Sequence, residues 1–322
     1  MRKTILLSSL FIVAFFLFIF LLPTNSFAEN RKQTAVDWFN QADALLKGGK
    51  YTDLKKAIEY LSNAIKLKPD YTDAFNNRGN AYNDLGQYQR AIEDYNKAIR
   101  LKPDYADAYI NRGTAYHNID KHQLAIEDYN KAIQLKPDDA YAYNNRGNAY
   151  NKLGQYQRAI KDCNEAIRLQ PDLAAAFISR GNVYSDLDKY QLAIEDFNKA
   201  IQLKPNDADA YYNRGNAYNK LGKHQFAIED YNETIRLKPD DAEAYYSRGV
   251  TYGRDLSQYK RAIDDFNKAI RLKPNYADAY SNRGLAYLLQ GKTKLGCRDA
   301  QKACALGDCE SLEWAKGKEH CH

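Results

Sequence analysis

Several residue types and motifs that enzymes commonly use are scarce or missing in this sequence. The 322 residues include one methionine and two tryptophans, a composition unlike that of a mixed α/β enzyme. The sequence has no glycine-rich phosphate loop, no HExxH metalloprotease motif, no nucleophile elbow and no CxxCH haem site. We therefore expect a protein that is not an enzyme, needs no cofactor and has no small-molecule substrate.

A large excess of charge of one sign is also lacking. The 47 lysines and arginines exceed the 41 acidic residues by six. Removal of residues 1–28 takes away two basic residues and no acidic one, which leaves a net charge of +4. Such a small surplus, spread over a surface of mixed charge, is not the electrostatic footprint of nucleic-acid binding. The sequence predicts no nucleic-acid partner.

Long apolar runs are absent except at the N-terminus. Arg2 and Lys3 precede an apolar run over residues 5–22, and the small-residue frame 26–28 follows. This pattern predicts an export signal that is cleaved after Ala28. The run is also long enough for an uncleaved signal anchor, which would be the chain's one contact with a membrane. Both alternatives place the rest of the chain outside the cytoplasm, periplasmic or secreted.

The sequence does contain a repeat of 34 residues. Prolines mark this period, with one extra residue before the last of them: Pro69, Pro103, Pro137, Pro171, Pro205, Pro239 and Pro274. A fixed spacing of this length indicates stacked helical hairpins, one for each repeat.

Within the unit 106–139, aromatic, small and apolar residues lie at spacings that place them on one face of each of two helices. They are Tyr109, Gly113, Tyr116, Ala125, Tyr129, Ala132, Ile133 and Pro137, with equivalents in nearly every unit. At these residues the chain resembles tetratricopeptide (TPR) repeats, from about residue 35 to residue 305. The resemblance implies an all-α fold, a right-handed α-solenoid of about eight helical hairpins with a C-terminal capping helix.

The expected domains are a signal peptide or signal anchor over residues 1–28, a TPR superhelix over 29–292 and a cysteine-rich segment over 293–322. The last segment should contain the second helix of the last unit and the capping helix. The units are expected near residues 35–71, 72–105, 106–139, 140–173, 174–207, 208–241, 242–276 and from residue 277 onward.

Three local departures from the repeat carry expectations of their own. The first unit is about three residues too long in the stretch KGGKYTDLKKA, as in a degenerate N-terminal cap. The extra residue of the seventh unit falls within residues 254–259, where we expect it in the turn between the two helices. Cys163 stands where other units have an aromatic ring, and we interpret it as a small buried hydrophobe.

Seven units carry an arginine at repeat position 7, counted with Ala106 as position 1, where TPR units usually have a leucine-like residue. An aspartate follows 16 residues downstream, or 17 in the longer unit, and the first unit lacks both residues. Because they are lost together, we predict ion pairs between the two helices of each hairpin; the alternative is a row of solvated charges. The predicted pairs are Arg78–Asp94, Arg112–Asp128, Arg146–Asp162, Arg180–Asp196, Arg214–Asp230, Arg248–Asp265 and Arg283–Asp299.

The resemblance also places certain positions of each first helix on a concave groove, and many of them are asparagines. The predicted peptide-groove residues are Asn77, Asn80, Asn111, Asn145, Asn148, Asn182, Tyr212, Asn213, Asn216, Tyr246 and Asn282. An asparagine side chain both donates and accepts, so a ladder of them can pair with the backbone of an extended peptide. The alternative is that these asparagines bind only water. Acidic residues at position 2, such as Asp209, argue against capture of a C-terminal carboxylate and favour a basic segment.

Four of the five cysteines lie in the C-terminal segment, at positions 297, 304, 309 and 321. An even set in an exported protein suggests two disulfides. Cys297 and Cys304 are two helical turns apart and too distant to pair. We favour the nested pairs Cys304–Cys309 and Cys297–Cys321 over the crossed set. A metal site built from Cys309, His320, Cys321 and His322 is the alternative, although its spacing fits no standard zinc pattern.

These observations predict an exported, non-enzymatic scaffold that binds an extended segment of a protein partner in its groove, in envelope assembly. The first alternative is a structural spacer or self-association module. The second is a redox or metal-binding function in the cysteine-rich tail. His122 and His224 replace aromatic residues of other units and are interpreted as packing residues.

Overall fold

The structure is a computed structural model that describes residues 33–47 and 49–321. The predicted signal segment, residues 1–28, lies outside the described residues. The chain divides into two compact units, Met1–Leu101 and Lys102–His322. In the described part, no helix is long and apolar enough to cross a membrane.

The described part of the first unit consists of helical hairpins with one small β-hairpin. Its helices are α1 (Ala35–Asp43), α2 (Leu54–Leu67), α3 (Thr72–Asp84) and α4 (Tyr88–Leu101). Thr34 and Asp37 form a capping box at the start of α1. The extra residues of this unit form two short antiparallel strands, β1 (Leu46–Lys47) and β2 (Lys50–Tyr51). The insertion is thus a strand pair, which the repeat pattern did not predict.

The second unit continues the succession of hairpins. Its first eight helices are α5 (Ala106–Asn118), α6 (His122–Leu135), α7 (Ala140–Lys152), α8 (Tyr156–Leu169), α9 (Ala174–Asp186), α10 (Tyr190–Leu203), α11 (Ala208–Lys220) and α12 (His224–Leu237). They are followed by α13 (Ala242–Val250), α14 (Tyr259–Leu272), α15 (Ala277–Leu289), α16 (Thr293–Ala305) and α17 (Glu310–Gly317). The expected all-α fold of consecutive hairpins is confirmed.

In the second to seventh repeat units, the hairpin closes where a glycine of the first helix meets a buried side chain of the second. At Gly113, an added Cβ would lie 2.7 Å from Cε1 of Tyr129, so no larger residue fits without movement of the ring. Tyr129 is 1% exposed and packs with Ala125 and Ala149 in one buried cluster. In the fourth repeat unit, Cys163 replaces the ring and is fully buried, as expected. Close approach of the two helices therefore fixes which residues stand at both positions.

The seventh repeat unit, residues 242–276, accommodates its extra residue differently from the expectation. Helix α13 ends at Val250 and continues as a π-helical turn over Thr251–Asp255. The extra residue is therefore absorbed within the helix and not in the turn that follows it, because a π-helical turn holds more residues than an α-helical turn. Such turns are rare and occur frequently at functional sites. Here the turn brings Gly253 and Arg254 to the wall of a cavity.

Two disulfides hold the C-terminal helix. Cys297 is bonded to Cys321, with a Cα–Cα distance of 5.5 Å, and Cys304 is bonded to Cys309, with a Cα–Cα distance of 3.9 Å. This is the nested arrangement favoured from the sequence. Cys321, Ala315 of α17 and Leu288 of α15 lie in one buried cluster. The capping helix is therefore attached both covalently and by apolar packing.

Candidate functional site: a polar groove along the first helices

An arginine of each first helix forms a two-point ion pair with the aspartate of its own hairpin. In all seven predicted pairs, Nε and Nη2 of the arginine donate to the two carboxylate oxygens over 2.6–2.9 Å. The aspartate side chains are 3–9% exposed and the arginine side chains 12–22%. The aspartate carboxylates are therefore almost completely buried. The arginine side chains that bind them are also largely buried.

The third contact of the arginine joins neighbouring repeats and was missed in the sequence. Arg146 Nη1 donates to Oδ1 of Asn130, an asparagine of the preceding unit, over 2.7 Å. The same bond recurs at Arg180, Arg214, Arg248 and Arg283, over 2.5–2.6 Å. In the first unit, Ser62 Oγ accepts from Arg78 Nη1. The asparagine that follows position 24 recurs in unit after unit, and this regularity was the signal that could have revealed the bond.

A polar cavity of about 650 Å³ lies along the first helices of the second unit. Its walls come from α5, α7, α9 and α11. Of the predicted groove residues, the structure brings together Asn148, Asn182, Asn213 and Asn216 at this cavity. It is also lined by polar residues outside the predicted set: His117, Asn144, Asn151, Lys152, Ser179, Ser185, Asp186, Asp207 and Asp209. Only Ala175 and Ile178 are apolar lining residues.

The other predicted groove residues lie elsewhere. Tyr246 and Asn282 line cavities nearer the C-terminus, and Asn282 Nδ2 donates to the Tyr246 hydroxyl over 3.1 Å. Asn77 and Asn80 belong to the first of the two compact units, residues 1–101. Three further predicted residues, Asn111, Asn145 and Tyr212, are half-buried in the second unit but do not line the 650 Å³ cavity.

Three buried polar atoms at the cavity have no hydrogen-bond partner in the described chain. They are Oδ1 of Asn144, Oδ1 of Asn151 and Nδ1 of His117. The Asn144 side chain belongs to a residue that is 5% exposed, and its Nδ2 donates to Asn145 Oδ1 over 3.4 Å. Nδ2 of Asn151 donates to Asp186 Oδ2 over 2.7 Å. A buried acceptor without a donor costs about 1–3 kcal/mol, so these atoms favour a ligand that brings N–H or O–H groups.

The imidazole of His117 contributes a neutral group to this wall. Burial lowers the pKa of His117, and the nearby charges of His122 and Lys152 lower it further, against an opposing effect of Asp120. The rings of His117 and His122 lie 4.8 Å apart. A neutral imidazole offers one donor and one acceptor. His122 thus packs against His117, whose neutral ring presents one donor and one acceptor to the cavity.

The residue at position 24 decides whether the asparagine at position 9 is available. The hydroxyl of Tyr231 donates to Asn216 Oδ1 over 2.8 Å, and that of Tyr95 donates to Asn80 Oδ1 over the same distance. Asn148 and Asn182 have no such hydroxyl opposite them, because position 24 is Cys163 in one unit and Phe197 in the other. Part of the asparagine ladder is therefore committed to internal bonds, and part faces the cavity without them.

The acidic residues at position 2 are largely neutralised inside their own hairpins. Asp107 pairs with Lys136 at 2.7 Å, Asp209 pairs with Lys238 at 2.6 Å, and Glu243 pairs with Lys273 at 3.1 Å. Each lysine precedes the proline of its repeat, which explains why these pairs recur. Three of the acidic residues that favoured a basic segment in the sequence therefore already have a lysine partner.

Two further cavities, nearer the C-terminus, are lined by more apolar and acidic side chains. A cavity of about 230 Å³ is lined mainly by Val250, Phe266, Leu285 and Leu289. A second cavity of about 350 Å³ is lined by residues of α13, α15 and α17 together with the segment before α17. Burial, followed by the charge of Asp278, raises the pKa of Tyr246 at this cavity to about 12.

The described residues contain no group of histidine, cysteine, aspartate and glutamate that could hold a metal ion. Cys309 and Cys321, two members of the alternative metal site, are each joined in a disulfide, and His322 lies outside the described residues. His224 packs near the π-helical turn, where its Nδ1 is 2.8 Å from Asn219 Oδ1.

Comparisons with known proteins identify the family. Models described as "Tetratricopeptide repeat" match residues 60–93, 106–139, 140–173 and 208–241, and one described as "TPR repeat" matches 79–120, 181–222 and 253–291. No protein with a curated description matches the chain by sequence. These matches span more than half of the chain, and it therefore belongs to the tetratricopeptide repeat family.

Solved structures show the same fold. A chain in the crystal structure of the APC/C hetero-tetramer Cut9–Hcn1 is 18% identical, with a TM-score of 0.66 over 92% of this chain and 57% of that one. A tetratricopeptide repeat protein from Parabacteroides merdae ATCC 43184 is 23% identical, with a TM-score of 0.56 over 75% of this chain and 95% of that one. The present chain thus covers little more than half the length of the Cut9–Hcn1 match. Folds of this family are generally non-catalytic scaffolds for protein–protein interaction, and this chain has that architecture.

Proposed function

We propose that this protein is a non-enzymatic scaffold that binds an extended segment of another protein in the polar groove of its second compact unit, residues 102–322. The observation that carries the proposal is the set of three unpartnered buried polar atoms at one cavity, on His117, Asn144 and Asn151. An extended peptide has backbone N–H and C=O groups at regular intervals, and such groups satisfy asparagine side chains regardless of the peptide's sequence.

The charges around the groove support a ligand read mainly through its backbone. Asp209 pairs with Lys238, Asp207 with Lys204, and Asp186 accepts from Asn151. Because these carboxylates already have partners, the middle of the groove does not demand a charge on the ligand. The polarity of the walls favours hydrogen bonding over burial of apolar side chains at this place.

We further propose that the protein works outside the cytoplasm, in assembly of the cell envelope. The two disulfides support an oxidising compartment, because structural disulfides persist in exported proteins and are rare in the cytosol. The apolar run over residues 5–22 supports export as well.

Asn144→Ala provides the sharpest test of the groove. The substitution removes a buried acceptor without a partner, so we expect the unliganded protein to become more stable by up to about 1 kcal/mol. It also removes a group that the ligand needs, so peptide affinity should fall about fivefold. Stability would be measured by thermal unfolding. Affinity would be measured by fluorescence anisotropy with dodecapeptides selected from a random phage library on the full-length chain.

A matched control is the exposed pair Gln157→Ala/Gln225→Ala on the second helices α8 and α12, which should change neither quantity. Failure of the wild-type chain to select any peptide would refute the proposal. Equal peptide binding by the wild type and Asn144→Ala would remove the cavity from the binding site.

A further inference from the structure

The C-terminal end of the groove departs from the repeat in a way that changes its chemistry. At repeat position 9, where the second to sixth units have asparagine or threonine, the last two units have Val250 and Leu285. Both side chains line the 230 Å³ cavity together with Phe266 and Leu289. Leu289 is 51% exposed at this place. An exposed apolar side chain beside an apolar cavity is more typical of a binding surface than of a helix end that faces water.

The 350 Å³ cavity next to it combines aromatic and acidic side chains. Tyr246 and Trp314 line it, together with the carboxylates of Asp278, Asp308 and Glu310. Trp314 is 41% exposed. The two cavities share Arg254, Asn282 and Leu285 as lining residues, so they are adjacent parts of one surface.

The charge of Asp278 is not compensated as it is at the same repeat position of three other units. Asp107, Asp209 and Glu243 stand at the same repeat position and pair with the lysine before the repeat proline. The last unit has Gly307 at the place of that lysine. Asp278 forms no ion pair in the described chain, and Arg254 is the one basic residue among the lining residues of this cavity. Three carboxylates and one guanidinium leave this surface net negative.

A polar atom of another residue that lines this cavity also lacks a partner. Oγ of Ser311, in the first turn of α17, is buried and makes no hydrogen bond in the described chain. The π-helical turn over Thr251–Asp255 supplies Arg254 to both cavities and Gly253 to the apolar one. The unusual backbone, the uncompensated charge and the unpartnered hydroxyl thus meet at one end of the groove.

We propose that this end of the groove binds a lysine or arginine side chain of the partner segment and an apolar side chain next to it. The basic group lies between Tyr246 and Trp314 and bonds to Asp278, because aromatic faces and carboxylates both attract cations. The apolar side chain enters the cavity beside Leu285. This inference rests on the proposed peptide-binding function and adds the chemistry that selects the partner and fixes its register.

The disulfides give this surface a fixed wall. Trp314 and Glu310 belong to α17, which Cys304–Cys309 and Cys297–Cys321 hold at its two ends. A wall that is already in place costs less ordering when the ligand binds. The position of the cysteines on either side of α17 is therefore consistent with a role of this helix in recognition.

The test uses selection of random dodecapeptides on the full-length, oxidised chain. Two variants are compared with the wild type: Asp278→Asn/Glu310→Gln, which removes two charges, and Leu285→Asn, which restores the asparagine of other repeats. Asp107→Asn is the matched control, because Asp107 has the same repeat position but is paired with Lys136. Circular dichroism of each variant verifies that the helices are retained.

We expect the wild type to enrich a basic residue within three positions of an aliphatic or aromatic one. Alanine in place of that basic residue should weaken binding about tenfold to the wild type and less than about twofold to Asp278→Asn/Glu310→Gln. Leu285→Asn should lose the apolar preference and keep the basic one, and Asp107→Asn should behave as the wild type.

Two other outcomes would be distinguishable. Peptides that bind and depend on Asn144 but show no basic or apolar preference would overturn this inference and leave the groove proposal intact. Selection of no peptide at all would overturn both.

Discussion

The ion pair between Arg214 and Asp230 lends itself to a double-mutant cycle. Nε and Nη2 of Arg214 donate to the carboxylate over 2.8 and 2.6 Å, and Nη1 donates to Asn198 of the preceding repeat over 2.6 Å. The side chains are 19% and 6% exposed. The guanidinium also lies over the ring of Tyr211, 5.5 Å from its centroid. The perturbation is to remove each charge alone, as Arg214→Met and Asp230→Ala, and then both together.

The expected magnitudes follow from the burial of the carboxylate. Burial raises the pKa of Asp230, and the hydrogen bond and charge of Arg214 oppose this effect, so the carboxylate depends on Arg214 to remain ionised. Removal of one partner of a buried pair typically costs about 3–5 kcal/mol. We expect about 3 kcal/mol for Arg214→Met, which leaves the carboxylate alone, and about 2 kcal/mol for Asp230→Ala, since a fifth of the guanidinium reaches solvent. The double variant should cost about 2–3 kcal/mol, far less than the sum of the two single losses.

Hydrogen exchange followed by mass spectrometry on peptides from α11 and α12 measures these losses locally, as a repeat array need not unfold in one step. The control cycle is Arg236→Met and Glu233→Ala, an ion pair of the same region whose side chains are 61% and 41% exposed. It should show a coupling energy below about 0.5 kcal/mol. A coupling energy at Arg214 and Asp230 no larger than that of the control would refute the interpretation of a buried pair.

The same cycle has a pH signature. In Arg214→Met the carboxyl of Asp230 loses its cation, so its pKa rises further above the ordinary value. A carboxyl group with a raised folded pKa binds its proton more tightly in the folded state. Its contribution to stability is present below the unfolded pKa of about 3.9 and is lost as pH rises through the folded pKa. The deficit of the variant relative to the wild type should therefore be larger at about pH 8 than at about pH 4.5 in thermal melts.

Three further predictions concern packing at the hairpin contact. In Gly181→Ala the new Cβ would lie 2.6 Å from Cε1 of the fully buried Phe197, so we expect a loss of about 1–3 kcal/mol in the same exchange experiment. In Gly147→Ala the atom nearest to the new Cβ is Cys163 Sγ, at 3.1 Å. The gain in helix propensity of about 1 kcal/mol should nearly offset this crowding. Equal losses of stability at both glycines would contradict this reasoning. Burial raises the pKa of the Cys163 thiol to about 12, so iodoacetamide at about pH 8 should label it only after denaturation, and rapid labelling of the native protein would show that this site opens.

Much of the fold could be predicted because the repeat is regular. The spacing of the prolines set the hairpins, and the paired occurrence of Arg112 and Asp128 indicated which two helices the ion pair joins. Small and aromatic residues at fixed positions, such as Gly113 and Tyr129, indicated the contact face. These features depend on local periodicity, which a single sequence displays fully.

The departures from the repeat were harder to predict, because each insertion has several local solutions. The extra residues before Leu54 form a strand pair, and the extra residue of the seventh unit forms a π-helical turn. A loop of the same length would fit either sequence equally well. The contacts with neighbouring helices therefore decide which structure forms. The hydrogen bond from Arg146 to Asn130 could not be predicted in the same way, because it joins two neighbouring repeats and the pattern within one repeat does not show which residues meet across that contact.

The candidate site was predicted only in outline, since a ladder of similar asparagines does not reveal which of them are free. Where position 24 is Tyr231, its hydroxyl occupies Asn216; where it is Phe197, no hydroxyl reaches Asn182. The side chain on the second helix thus determines the hydrogen-bonding capacity of the groove on the first. Since Cys163 leaves Asn148 without such a bond and Asn144 lies nearby with an unpartnered oxygen, hydrogen-bonding groups that the chain itself does not use lie together in these central repeats. A repeat array of nearly uniform sequence can in this way carry a localised site.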